Sequence, residues 1–155
     1  MAKKSDGRVD APESAAGAAS LASDALLKAW ASDELDLTKL TREQQLLFAV
    51  ATLRQGVSSD GFAGYFSSSS SVLEPVTTEA ARILGDAWAE LFLEAQAVAD
   101  GLNRDAAALR DSAELKALDR RFAELEASTA SDALLDAWVG WNRDKVFRTK
   151  RFGII

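Results

Sequence analysis

Val57-Ser58-Ser59-Asp60-Gly61-Phe62-Ala63-Gly64-Tyr65-Phe66 lies between two strongly helical stretches, a polar, glycine-bearing break followed at once by three aromatics. Reading it as a break between helices decides the class. Strand alternation is almost absent from the chain outside 146–155, so the fold expected is all-α, a single compact multi-helix domain.

Upstream of the break, Thr41 is placed to cap a helix with Glu43 and Gln44 in its first turn. Leu46, Leu47, Phe48, Val50 and Leu53 make that helix apolar on nearly every side, which predicts a central position. Gly56 is its expected end. Further upstream, Ser20 or Ser23 caps a helix carrying Leu21, Ala25, Leu26, Ala29 and Trp30. Downstream, Phe62, Tyr65 and Phe66 form a short helical turn. The serine run 67–71 reads as a loop. Pro75 with Thr77 or Thr78 then introduces the longest helix, roughly 79–100, with Leu84, Ala87, Trp88, Leu91, Ala95 and Val98 on its apolar stripe and Gly101 closing it. A polar connection over 103–112, irregular or briefly helical, leads to a helix over 113–127 with Leu115, Leu118, Phe122 and Leu125 at helical spacing. Ser131 caps the last helix, which carries Leu134, Leu135, Trp138 and Trp141.

Residues 1–19 are rich in Ala, Ser and Gly without apolar periodicity, so they are expected to be a disordered lead-in to a helical domain over 20–155. With 155 residues, one domain of this size buries about 70% of its unfolded surface. The chain has no cysteine and no histidine. That excludes disulfides, thiolate nucleophiles, cysteine-type zinc sites and the usual neutral-pH proton shuttle. No phosphate-cradling glycine loop, Walker lysine, nucleophile elbow or EF-hand loop is present. No catalytic, cofactor or metal residues are expected. No run approaches the ~18 apolar residues of a membrane span, and the N-terminus makes a poor signal peptide, so a cytoplasmic protein is expected.

The net charge is −6. Residues 143–155 hold five basic groups against Asp144, while 14–142 hold 10 basic and 20 acidic residues. Such a body repels nucleic acid and attracts basic surfaces. Within it, Glu79, Asp86, Glu90 and Glu94 are expected to form an acidic row on the long helix, beside its apolar stripe. They are the candidate partner-binding residues; a solvated face is the competing reading. Asp119, Arg120 and Arg121 point to internal salt bridging rather than acid–base chemistry. The four tryptophans are expected in the core, with Trp141 the most exposed. The basic, aromatic tail is expected to fold back along the domain or to serve as a dimer interface. The strings SDALLKAW (23–30) and SDALLDAW (131–138) are nearly identical, which reflects one helical recipe used twice rather than a duplication.

Three blocks taken in order resemble a bacterial family of small helical proteins named after a DNA-mimic protein. Its pattern is a buried helix, Val-Asn-Asn-Gly-Gly-Phe-x-Gln-Tyr/Phe-Phe, a polar loop, a helix with Ile-Gly-Ala, and Leu-x-x-Leu-Asp-x-x-Phe-x-x-Leu. Val57, Gly61, Phe62, Tyr65 and Phe66 match the first block. Leu84-Gly85-Asp86-Ala87 is a variant of the second, and Leu115, Leu118, Asp119, Phe122 and Leu125 match the third. Ser58 and Ser59 stand where the family has asparagine, Asp60 replaces its first glycine, and Gly64 replaces its glutamine. The resemblance spans roughly 41–142 and implies that Gly61, Phe62, Tyr65, Phe66, Leu118, Asp119 and Phe122 are structural.

It further implies a non-catalytic, acidic interaction protein that blocks a basic partner (a transcription regulator, a nuclease or a toxin) by imitating DNA. Direct contact with nucleic acid or membrane is not expected; a homodimer stays open. The alternatives are an immunity or antitoxin-type protein and, less favoured, a carboxylate–metal enzyme.

Overall fold

A computed structural model of the chain describes residues 16–68 and 73–147. Those residues form eight α-helices and one short 3-10 turn, Leu37–Lys39, with no strand among them. The helices are α1 (Ala18–Ala31), α2 (Arg42–Ser67), α3 (Glu74–Ala81), α4 (Asp86–Gly101), α5 (Ala106–Asp111), α6 (Ala113–Ser128), α7 (Ser131–Trp141) and α8 (Arg143–Val146). The all-α expectation is met. The chain divides into two compact units, one built from 1–48 and 132–155, the other from 49–131. The division falls inside α2.

In the first unit, α1 starts at Ala18, ahead of both serines expected to cap it. The reason is a partner far along the chain. The Asp136 carboxylate on α7 accepts the backbone N–H groups of Gly17 and Ala19, each at 2.9 Å. These are two of the donors a helix start leaves unpaired. Ser20 and Ser23 become ordinary helical residues.

The Thr41 cap forms as expected. Thr41 Oγ1 accepts from the Gln44 N–H at 3.1 Å, and Gln44 Oε1 accepts from the Thr41 N–H at 2.9 Å, a reciprocal capping box. The same two side chains donate onward to α8, Thr41 Oγ1 to the Lys145 carbonyl at 2.7 Å and Gln44 Nε2 to the Val146 carbonyl at 3.0 Å. Gln44 is fully buried yet satisfied at both ends of its amide. Trp30 meets Phe48 edge-on at 5.6 Å.

In the second unit, α2 does not stop at Gly56 but runs on to a kink at Gly61, whose φ of 71° and ψ of 178° leave the helical region. Gly56 serves packing instead. A Cβ there would stand 3.1 Å from the Tyr65 ring. The expected long helix over 79–100 is two helices. Gly85, at φ 135°, separates α3 from α4, so Pro75 opens α3 and the later helix begins at Asp86. α4 packs on both α3 and α6.

Ser112 caps α6 by accepting from the Leu115 N–H at 3.1 Å, and α6 covers the stretch expected for it. Ser131 does begin α7, but its hydroxyl is buried without a hydrogen bond, so it is not the cap expected. The lead-in up to residue 15, residues 69–71 of the serine run and the tail from 148 lie outside the described residues.

Candidate functional site

The acidic row changes on folding. Glu79 lies on α3, while Asp86, Glu90 and Glu94 lie on α4, beyond the Gly85 break, so the row on one helix is three carboxylates long. All four are exposed. At 100° per residue, Leu93 and Ala97 fall on the same side of α4 as Asp86, Glu90 and Glu94, and Leu93 is 43% exposed. This face is therefore acidic with an exposed apolar residue at its edge. Glu94 also accepts from Arg121 on α6 at 2.8 Å. Both side chains are about half exposed, so that pair contributes no more than a few tenths of a kcal/mol.

The charge itself is unevenly placed. The unit built from 49–131 holds 13 acidic and 7 basic residues, a net −6, whereas the other unit holds 11 of each and sums to zero. Several carboxylates of the acidic unit are engaged internally. Glu126 takes a two-pronged contact from Arg54, at 2.7 and 2.8 Å. Glu74 takes another from Arg104, which also reaches Asp100 at 2.8 Å. Asp86 and Glu90 have no ion-pair partner among the described residues, which leaves them facing solvent.

The Glu74–Arg104 cluster was not visible in the sequence. Arg104 sits at φ 54°, directly after Asn103 at φ 56°, and this doubly left-handed turn lays its guanidinium 5.1 Å from the centre of the Phe66 ring. Gln96 adds a hydrogen bond to Glu74 at 2.9 Å. The Glu74 carboxylate holds the Arg104 guanidinium more firmly protonated than usual. Thirty residues separate the partners, and no local spacing rule joins residues that far apart.

Asp119 plays a part the sequence did not assign. The salt bridge expected around Asp119, Arg120 and Arg121 forms only for Arg121, with Glu94. Asp119 instead accepts the Phe62 N–H at 2.8 Å, just past the Gly61 kink. Burial pushes its carboxyl above the ordinary carboxylate range, partly offset by that hydrogen bond and by Arg120. A Cβ on Gly61 would lie 2.6 Å from Asp119 Oδ2, so the glycine is what lets the carboxylate close on the kink.

Beneath the kink the aromatics form one connected group. Phe62 meets Phe122 edge-on and stacks on Phe66, each at 6.1 Å. Tyr65 and Phe66 both reach Phe92, and Phe122 reaches Trp88 at 5.4 Å. Leu118 is buried one turn before Phe122 on α6. Gly61, Phe62, Tyr65, Phe66, Leu118, Asp119 and Phe122 are thus brought together around the kink. Tyr65 is fully buried, its hydroxyl without a hydrogen bond of ordinary geometry, and burial pushes it up to about 12. No group of three or more Asp or Glu among the described residues is placed to hold a metal.

Against known proteins, a family model described as DMP19-like protein matches residues 38–140. No curated protein and no solved structure matches the chain.

Proposed function

Because the chain belongs to the DMP19-like protein family, we propose that it binds a DNA-binding protein in place of DNA and blocks it without catalysis. The observation that carries this is the coincidence of family and charge. The matched stretch 38–140 contains the whole of the unit that holds the net −6. The surface proposed for contact is Asp86, Glu90 and Glu94 on α4, with Glu79 on α3. The setting proposed is the cytoplasm; no described helix is long and apolar enough to cross a membrane.

The magnitudes limit how close the imitation is. Successive carboxylates on α4 are about 6 Å apart along the helix axis. Duplex DNA carries one charge per ~1.7 Å. Three carboxylates over ~12 Å therefore replace about seven phosphate charges. So sparse a row condenses few counterions, and the exposed Leu93 at its edge must supply part of the contact by burial.

Capture from the native host, followed by competition with duplex DNA, tests this directly. The expected partner is basic, is released by DNA, and loses affinity with salt less steeply for this chain than for DNA. Glu90→Lys should abolish capture while leaving the helical circular dichroism unchanged. A captured toxin that DNA does not displace, with binding indifferent to salt, would replace this reading with the immunity one.

A further inference from the structure

α3 buries less apolar side chain than the two longer helices of its unit that follow it. It has eight residues, fewer than a helix needs to stand alone in water. Its start at Leu73 carries no side-chain cap, and its buried side chains are Thr77, Ala80 and Ala81. Docking so small a set takes little apolar surface out of water. By contrast α4 buries Trp88, Leu91 and Phe92, and α6 buries Leu115, Leu118 and Phe122. The hold on α3 is largely polar. Glu74 in its first turn has a side chain only 10% exposed, and takes the two-pronged contact from Arg104 with a further hydrogen bond from Gln96 on α4.

Two features of the docked state are unfavourable in themselves. Arg104 reaches Glu74 from a left-handed backbone, at φ 54°, a region that long side chains rarely adopt. Asn103 before it is of a residue type that enters this region readily; arginine is not. Beside α3, the Tyr65 hydroxyl is buried near Thr77 and Glu74, and makes no hydrogen bond of ordinary geometry among the described residues. Thr77 gives its own proton to the Leu73 carbonyl at 2.8 Å. A buried hydroxyl left in this way favours any state that hydrates it. Lifting α3 wets the hydroxyl and frees the turn at Arg104 to relax, and the Glu74 contacts oppose that movement.

We propose that α3 is a latched lid over Tyr65, held shut by the Glu74–Arg104 pair, and that release of this pair lets α3 lift as a unit while α4 and α6 stay folded. This goes beyond the function argued above, and no partner enters its test. It touches that function only through Glu79, which rides on α3 and moves with it.

Tyr65 is the single tyrosine of the chain, so nitration by tetranitromethane reads its access to solvent, while amide hydrogen exchange reads the helices. In the full, unsubstituted chain the α3 amides should exchange together, about tenfold or more ahead of the central amides of α4 and α6. Arg104→Met should raise α3 exchange and Tyr65 nitration by one common factor, about tenfold, with α4 and α6 unchanged. Tyr65→Phe removes the unpaired hydroxyl and should slow α3 exchange severalfold. That variant decides the matter if Arg104→Met also loosens α4 and α6. The proposal is overturned if α3 exchanges only in step with α4 and α6, or if nitration and α3 exchange rise by different factors. It is equally overturned if Tyr65→Phe leaves α3 exchange unchanged or speeds it.

Discussion

The two units of this molecule solve the same problem with opposite surroundings. Each has a helix whose start is capped by a carboxylate more than fifty residues away, Asp136 for α1 and Asp119 for the turn beginning at Phe62. Asp136 accepts two N–H groups beside Gly17, where a Cβ would meet nothing within 4 Å. Asp119 accepts one, wedged against Gly61 with no room for a Cβ. The open cap sits in the unit of zero net charge and the crowded one in the unit of −6. A long-range cap can thus be an adjustable surface contact or a fixed part of the core. The space around its glycine decides which.

Substituting the two glycines gives the sharpest contrast. Gly61→Ala combines a backbone region reserved for glycine with a clash on Asp119, and should cost about 3 kcal/mol or more. Gly17→Ala has φ 78° but open space, and should cost about 1 kcal/mol. Equal losses in urea unfolding would erase the distinction between the caps.

Crowding around the kink extends to a second pair. A Cβ on Gly64 would lie 2.2 Å from the Asp60 Cβ, so Gly64→Ala should cost about 2 kcal/mol. The family pattern has glycine at the first position and glutamine at the second, the reverse arrangement of bulk. Asp60→Gly with Gly64→Gln should therefore recover most of that loss. A double-mutant cycle showing strict additivity would mean the two positions are uncoupled.

Removing the carboxylates should follow the same order at smaller scale. Asp119→Ala leaves the Phe62 N–H unpaired in a half-buried site and should cost about 2 kcal/mol. Asp136→Ala should cost about 1 kcal/mol, because water can reach the freed donors. Loss of the Gly17 and Ala19 amide protection in hydrogen exchange, without loss elsewhere, identifies the second effect.

The smallest effect is on pH dependence. The folded protein holds the Asp119 proton more tightly than the unfolded chain, so its contribution to stability is fullest below the ordinary value of 3.8 and declines as pH rises through the folded value. Relative to Asp119→Asn, the unsubstituted protein should thus be favoured most at pH 3 and progressively less toward pH 6. A difference that grows with pH would mean the Phe62 hydrogen bond, not burial, dominates at this carboxyl.

What the sequence disclosed follows how far each residue reaches for its partner. The Thr41 cap, the Gly61 break, α6 and the exposure of Trp141 rest on neighbours within a few residues, and each is found where expected. Gly56, Ser131 and the start of α1 depart from the local rule because Tyr65, burial and Asp136 override it. The repeated octapeptides show the same limit. Leu26 is buried where its counterpart Leu134 is exposed, so one string presents a different face in each helix. They differ in sequence only at Lys28 and Asp136. Lys28 lies in the last turn of α1, where a cation suits the helix dipole, while Asp136 caps that helix's beginning. For the candidate site, the acidic character was legible from composition. The split of the row was not, since nothing local to Glu79 records the conformation of Gly85.

Gly56 and Tyr65 stand on either side of the α2 kink, and the ring of one rests against the bare Cα of the other. Any straightening at Gly61 would pull that ring out of the Phe66 and Phe92 group it completes. Straightening the bend therefore carries the cost of unpacking Tyr65. For the contact proposed above, little of the binding free energy would then go into bending the protein to fit.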